Sequence, residues 1–177
     1  LGSFTLAQLN AAVSDANLMS MTLSAEQATT SGTSVDFTGI PSDAMVIIVA
    51  FAALSTNGTS ALILQLGDAG GFENTNYSGS CEGGGTAALM SSGFMITRAQ
   101  VAAATYTGNV MLFLEESASF TWTAFGTAGR RETTGTAYNS SGDKALSDTL
   151  TQVRLTMANG TDAFDGGGAS IYVIRGG

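Results

Sequence analysis

The sequence predicts an all-β protein, a jelly-roll-like β-sandwich that follows a short N-terminal helix and arm. Three observations support this prediction. Glycine provides 23 of 177 residues and proline only one, so the turns are made by glycine. Apolar runs of strand length recur from Val35 to Ile174, at intervals that suggest roughly eight strands. Helical periodicity is confined to the first twenty residues.

The N-terminal segment carries a helix start. Thr5 can cap the helix, Gln8 completes a capping box, and Phe4 can pack onto Leu9. The helix is expected to run to about Asn17, with one apolar stripe made by Leu6, Leu9, Val13 and Ala16. The polar residues that follow indicate an arm. We therefore divide the chain into residues 1–34, helix and arm, and residues 35–177, the sandwich.

The first strand signal of the sandwich is at Val35 and Phe37, and its most apolar strand follows. Met45–Leu54 is apolar at odd and even positions, which requires cover on both faces of a sheet, by the opposite sheet and by something else such as a neighbouring subunit. Asn57-Gly58 separates this run from Leu62–Leu66 and predicts a hairpin. Two long polar stretches, Gly67–Ala87 and Gly126–Ala145, are expected to be loops. Further strands are predicted at Leu89–Ile96, Asn109–Glu115, Phe120–Phe125, Val153–Met157 and Ser170–Ile174.

The charge balance argues against several classes of partner. Six basic and fourteen acidic residues give a net charge of −8, which repels nucleic-acid phosphates and anionic membranes. The longest apolar run, Ala44–Leu54, is shorter than the ~20 residues of a membrane-spanning helix. Cys81 is the only cysteine, so no intramolecular disulfide can form. We expect neither nucleic-acid nor membrane binding.

The residue types also argue against an enzyme. The chain has no histidine, which excludes Ser-His-Asp and Cys-His catalysis and every histidine metal site. Glu115 and Glu116 are adjacent, and neighbouring residues on a strand point to opposite faces, so they cannot flank one glycosidic bond. Asn159, Asp162 and Asp165 could bind calcium, but turn formation explains them better. We expect no enzymatic activity, no cofactor and no metal.

A few side chains stand out as candidates for contacts. Arg130, Arg131 and Glu132 form the densest charge cluster, either pairing with another subunit or lying on a solvated loop tip. Tyr77 and Tyr138 lie in the long polar stretches, where they could contact a receptor or pack onto the sandwich. The aromatic residues at strand positions are expected in the core or in an interface; they are Phe113, Phe120, Trp122 and Phe125.

Several segments resemble those of bacteriophage tail-fibre and other virion proteins. They are Val35–Pro41, Asn57–Thr59, Gln65–Glu73 and Asn159–Asp165, and the resemblance spans Thr33 to about Ile174. Thr5–Asn10 is similar to the start of many phage structural proteins, where an N-terminal element attaches the module to the particle.

The resemblance implies a structural component of the virion, assembled in the cytoplasm of the bacterial host. It implies a homotrimer that serves as a head-decorating cement protein or as a tail appendage, with the major capsid protein or tail proteins as further partners. Attachment or interface residues are expected among Phe4, Leu6, Leu9, Val13, Arg130 and Arg131. One alternative is a receptor-binding module at a tail-fibre tip, which recognises a host glycan or protein through the loops of Tyr77 and Tyr138. A second is a glycan-cleaving enzyme, which would need two cooperating carboxylates.

Overall fold

The computed structural model describes residues 5–8, 20–102, 104–132 and 135–176. Two antiparallel sheets pack against each other, which confirms the predicted all-β sandwich. The strands of the described residues are β1 (Ser20–Leu23), β2 (Gln27–Ala28), β3 (Ser34–Thr38), β4 (Ala44–Thr56), β5 (Leu62–Asp68), β6 (Gly71–Phe72), β7 (Ser78–Gly83), β8 (Thr86–Leu89), β9 (Phe94–Met95), β10 (Thr105–Glu116), β11 (Thr121–Arg131), β12 (Thr136–Ala145), β13 (Gln152–Met157) and β14 (Phe164–Arg175).

The two sheets differ in size. The large sheet has nine strands in the order β1-β14-β4-β10-β11-β12-β7-β8, with β2 also pairing with β14. The small sheet has five strands in the order β3-β13-β5-β6, with β9 also pairing with β5. The chain crosses repeatedly between the sheets, so most neighbouring strands are distant in sequence. β4 lies at the centre of the large sheet, between β14 and β10.

The core lies between the two sheets. The large sheet contributes Ile47, Val49 and Leu112, and the small sheet contributes Leu64 and Leu155, all with 1% or less of their surface exposed. Alternation on each strand places these apolar side chains on the inner face, because successive residues of a strand point to opposite faces. Burial of each such side chain stabilises the fold by about 1.5–3 kcal/mol relative to exposure.

The predicted hairpin at Asn57-Gly58 is wrong. β4 belongs to the large sheet and β5 to the small sheet, so the turn carries the chain from one sheet to the other. Its contacts are with the segment before β14: the amide of Asn57 donates to the carbonyl oxygen of Ala163, and Asn57 Oδ1 accepts from the amide of Ala163. The Asn-Gly signal identifies a turn, but it does not determine whether the flanking strands pair.

Both polar stretches predicted as loops contain strands. Gly67–Ala87 includes β6 and β7, and Gly126–Ala145 forms most of the β11–β12 hairpin, which raises the strand number well above eight. Gly79 and Gly142 face each other where β7 pairs with β12. A Cβ on Gly79 would lie 2.3 Å from the carbonyl oxygen of Ser141, so glycine permits this close pairing.

The first residues of the chain are described only in part. The predicted capping box is confirmed, because Gln8 N donates to Thr5 Oγ1 at 3.2 Å and Thr5 N donates to Gln8 Oε1 at 2.9 Å. Residues 6–8 are helical, and the rest of the predicted helix lies outside the described residues. β1 and β2 pair with β14, so the large sheet begins within residues 1–34, the segment assigned above to helix and arm.

Candidate interaction surface

The large sheet packs against the small sheet on its inner face only. Within the described residues, no further sheet packs on its outer face. On β4, Ile47, Val49 and Phe51 point inward and are buried, so Val46 and Ile48 point outward. Both outward side chains are apolar. The structure thus confirms that this run is one strand with apolar side chains on both faces, and only the inner face is covered by the opposite sheet.

Nine outward apolar side chains form two rows across five adjacent strands, and we call this set the apolar outer face. The strand register aligns the first row as Leu23, Tyr172, Ile48, Met111 and Phe125. It aligns the second row as Met21, Ile174, Val46 and Phe113. Directly opposed side chains on neighbouring strands lie about 4.5–5.5 Å apart at Cβ, so each row is continuous.

The apolar outer face is substantially exposed to solvent. Met21 is 63% exposed, Leu23 57% and Phe125 50%, and the other six are half-buried by their neighbours. Phe113 and Phe125 stack with ring centroids 5.7 Å apart and an interplanar angle of 11°. Exposed apolar side chains are ordinary when scattered, whereas a contiguous set makes this face a candidate interaction surface.

The face changes character beyond β11. Continuing from Phe125, the first row runs through Ser141 and Ser80 to Leu89 at the edge strand β8. The second row continues from Phe113 through Thr123 to Asp143. None of the nine side chains of the apolar outer face carries a carboxylate, ammonium or guanidinium group. The large sheet is therefore divided into an apolar half and a polar half.

Tyr77 and Tyr138 are core residues, which corrects their assignment to receptor-contacting loops. Each is only 4% exposed. The Tyr77 hydroxyl accepts from the amide of Leu66 at 2.7 Å, and the Tyr138 hydroxyl donates to the carbonyl oxygen of Ala99 at 3.2 Å. Burial raises the pKa of Tyr77 well above its ordinary value. Both rings pack within the sandwich and stabilise it, which was the second alternative for these two residues.

The remaining predicted contact residues do not form one site. Arg130 lies near the end of β11 and forms an ion pair with Glu132, with 2.7 Å between Nη2 and Oε1. Arg131 is exposed at the end of the same strand. Leu6 is 73% exposed in the short helical turn. The other three predicted attachment residues, Phe4, Leu9 and Val13, lie outside the described residues.

One charged cluster joins the two sheets. Lys144 on β12 is 2% exposed and forms an ion pair with Glu73, which follows β6. Ser147 Oγ lies 2.7 Å from Glu73 Oε1 and 2.7 Å from Asp68 Oδ2. Burial alone would raise the pKa of Glu73, but hydrogen bonds from Lys144 and Ser147 outweigh it and hold this pKa below its ordinary value. The cluster links the sheets by paired charges.

The acidic residues considered as metal ligands or catalysts have structural partners or lie apart. Asn159 Oδ1 accepts from the amides of Thr161 and Asp162 at 3.1 Å, which is a turn stabilised by its own side chain. No group of three metal-ligating side chains occurs within the described residues. Glu115 and Glu116 are exposed at the end of β10, where the pairing with β11 shifts register.

Comparisons with family models, with curated proteins and with solved structures give no match to this chain. Among the helical residues that the structure describes, none belongs to a helix long and apolar enough to cross a membrane. The candidate site is therefore defined by the geometry of this chain itself.

Only part of the apolar outer face was predicted from the sequence. The predicted part is the unusual apolar content of β4 together with Phe113 and Phe125, which were expected in the core or in an interface. β1 was not predicted, and Met111 and Ile174 were not grouped with β4. The available signal was the same as for β4: β10 and β14 each contain apolar residues at both odd and even positions.

Proposed function

We propose that this chain is a non-enzymatic structural module of a bacteriophage particle, a homotrimer that decorates or stabilises the head or forms part of a tail appendage. The apolar outer face is the observation that carries this proposal. A soluble sandwich with so continuous an apolar surface is suited to permanent assembly. The resemblance of Val35–Pro41 and Gln65–Glu73 to virion proteins directs the proposal to a phage particle.

The mechanism is mechanical. A rigid sandwich needs no internal motion to bridge neighbouring molecules, and burying apolar strand surface supplies the free energy of association. The absence of histidine from the sequence and the pairing of Glu73 with Lys144 support a role without chemistry at a reactive centre. No covalent bond is made or broken in this mechanism.

The N-terminal segment is proposed to attach the module to the particle. Its partners there would be the major capsid protein or tail proteins. Three linked segments in one trimer dock with a high effective concentration, so weak individual contacts suffice. Leu6 is consistent with this assignment, since its apolar side chain is 73% exposed. Arg130 and Arg131 remain candidates for additional contacts at the end of β11.

Deletion of residues 1–19 tests the attachment, because it ends before β1 and keeps every strand that the structure describes. The truncated protein is expected to keep its oligomeric state and its unfolding temperature but to lose co-sedimentation with intact virions. Leu89→Glu, which leaves the N-terminal segment unchanged, serves as the control and should still co-sediment. Full binding by the truncated protein would contradict attachment through the N-terminal segment. Electron microscopy of particles labelled on this chain would distinguish a head from a tail location.

A further inference from the structure

A polar groove crosses the outer face of the small sheet. Outward side chains of β13 and β5 form its floor, and the segments before β3, after β6, before β9 and after β13 form its sides. The groove encloses about 270 Å³, close to the lower end of the roughly 300–1,000 Å³ found for small-molecule sites. We propose that this groove binds one ring of a neutral carbohydrate. The inference goes beyond the proposed function and does not depend on the trimer.

Arg154, on the floor of the groove, supplies a hydrogen-bond donor that the fold holds in place. Its Nε and Nη2 atoms each donate to a carboxylate oxygen of Asp36 at 2.7 Å. The guanidinium also lies 4.0 Å from the ring centroid of Phe72, so two different contacts fix its plane. Among the described residues, nothing accepts a hydrogen bond from Nη1. Nη1 is therefore a positioned donor, and little conformational entropy is lost when a ligand accepts from it.

Gln65 supplies an acceptor beside that donor. It is the register partner of Arg154 on the neighbouring strand, and directly opposed side chains lie about 4.5–5.5 Å apart at Cβ. Gln65 Nε2 donates to the carbonyl oxygen of Ser92 at 2.9 Å, which fixes the amide and leaves Oε1 without a donor in the described part of the chain. Each hydroxyl group of a sugar can both donate and accept. Neighbouring hydroxyls of one ring can thus accept from Arg154 Nη1 and donate to Gln65 Oε1.

The sides of the groove continue the same chemistry. Ser34, Asn74 and Ser92 line it with hydroxyl and amide groups. Thr156 Oγ1 donates to the carbonyl oxygen of Thr33 at 2.8 Å, so its lone pairs remain to accept from a ligand. A ligand rich in hydroxyl groups finds partners on every side, whereas an apolar ligand would leave these polar groups unpaired. The lining therefore favours a carbohydrate over an apolar ligand.

The charge of the groove favours a neutral sugar over an anionic ligand. Asp36 neutralises Arg154, and the whole chain carries a net charge of −8. A further carboxylate, that of Asp162, accepts from Nδ2 of the groove residue Asn159 at 2.7 Å. Phosphate or a sugar carboxylate would be repelled by this surplus of negative charge, and a neutral sugar would not.

The test uses the full chain with the methyl glycosides of glucose, galactose and mannose as probes. Saturation-transfer NMR detects binding, and titration gives the dissociation constant, which we expect to be about 1 mM for a single ring. Gln65→Met keeps the length of the side chain but removes Oε1, so it should weaken binding by about tenfold or more. The control, Asn139→Leu, removes an exposed amide on β12 of the large sheet and should change binding by less than about twofold.

The same three sugars coupled to beads distinguish a surface glycan from a dissolved sugar. Retention of the chain on the beads supports the former, and binding of the free glycosides alone supports the latter. If circular dichroism shows that Gln65→Met is unfolded, Arg154→Lys replaces it, because lysine keeps the positive charge beside Asp36 but lacks Nη1. It should weaken binding to the same extent.

Three results would overturn the inference. They are the absence of binding to all three sugars, equal affinity of the wild type and the groove variant, and tighter binding of sialic acid than of every neutral glycoside. The last result would identify an anion site. None of them changes the mass of the oligomer or its co-sedimentation with virions, so failure of this inference and failure of the proposed function are distinguishable.

Discussion

The outer faces of the two sheets differ in the polarity of the side chains that they expose to water. On the small sheet, Asp36, Arg154 and Gln65 stand side by side in register and point outward. Arg154 forms a two-point ion pair with Asp36, with Nε–Oδ1 and Nη2–Oδ2 distances of 2.7 Å. Its guanidinium lies 4.0 Å from the ring centroid of Phe72 and covers that ring. The outward apolar group of the small sheet is thus covered within the chain itself.

Among the residues that the structure describes, no charged side chain covers the apolar half of the large sheet in this way. No arginine or lysine lies among the nine side chains of the apolar outer face, and Phe113 stacks only on another phenylalanine, Phe125. The two sheets share one core, so the core does not explain the difference. From this contrast we propose that the outer face of the small sheet contacts solvent and that of the large sheet contacts another molecule.

The largest effect is expected where charge is enclosed between the sheets. Glu73→Gln leaves Lys144 buried without its carboxylate partner and should lower the free energy of unfolding by about 3 kcal/mol at pH 7. The matched control is Glu115→Gln, an exposed glutamate, which should change it by less than about 0.5 kcal/mol. Urea unfolding measures both values. Equal stability of the two variants would show that the Glu73–Lys144 pair contributes nothing.

The same pair predicts the direction of a pH effect. The pKa of Glu73 is lower in the folded chain than in the unfolded chain, so its stabilising contribution is fully present above the unfolded pKa. The contribution is lost as the pH falls through the folded pKa. The stability difference between wild type and Glu73→Gln should therefore shrink below about pH 4.5. A difference that stays constant down to pH 3 would contradict the shift.

A smaller effect tests whether the apolar outer face is covered in solution. If assembly covers it, tenfold dilution should lower trimer stability by about 1 kcal/mol per chain. For a chain of this size, that change corresponds to a shift of about 2–4 °C in the unfolding temperature. Phe125→Glu should unfold at a temperature that does not depend on concentration. Scanning calorimetry over a hundredfold concentration range makes this comparison.

The smallest effects are expected on the outer face of the small sheet. Arg154→Ala removes a partly exposed ion pair and the cover of Phe72, and it should cost about 1 kcal/mol of stability without changing the oligomeric state. Arg154→Lys keeps the charge but loses the two-point geometry, so it should recover only part of that loss. Dissociation of the oligomer by Arg154→Ala would contradict the proposal that the outer face of the small sheet contacts solvent.

The sequence predicted the sandwich and many of its strands because alternation is a local property. Val153 and Leu155 alternate with outward-facing residues, and the structure places them on the inner face of β13 as expected. Which strands pair is not local. Asn57-Gly58 has the composition of a hairpin, yet β4 and β5 do not pair with each other; β4 pairs with β10 and β5 with β13, each more than forty residues away.

The candidate surface shows the same limit. β7 has the sequence SGSCEG, whose serine and glycine content gives little preference for a strand. This segment forms a strand because it pairs with β12. Because β7 and β12 were predicted as loops, the burial of Tyr77 and Tyr138 could not be predicted from the sequence. The apolar content of β4 did predict a second contact surface, but its extent depends on the order of β1, β14, β10 and β11 in the sheet.

The mass of the purified chain in solution tests the central claim most directly, and sedimentation equilibrium at micromolar concentration provides it. The proposed homotrimer predicts three times the 17.9 kDa of one chain. A single species of 17.9 kDa that also fails to bind intact virions would contradict both the shared surface and the structural role.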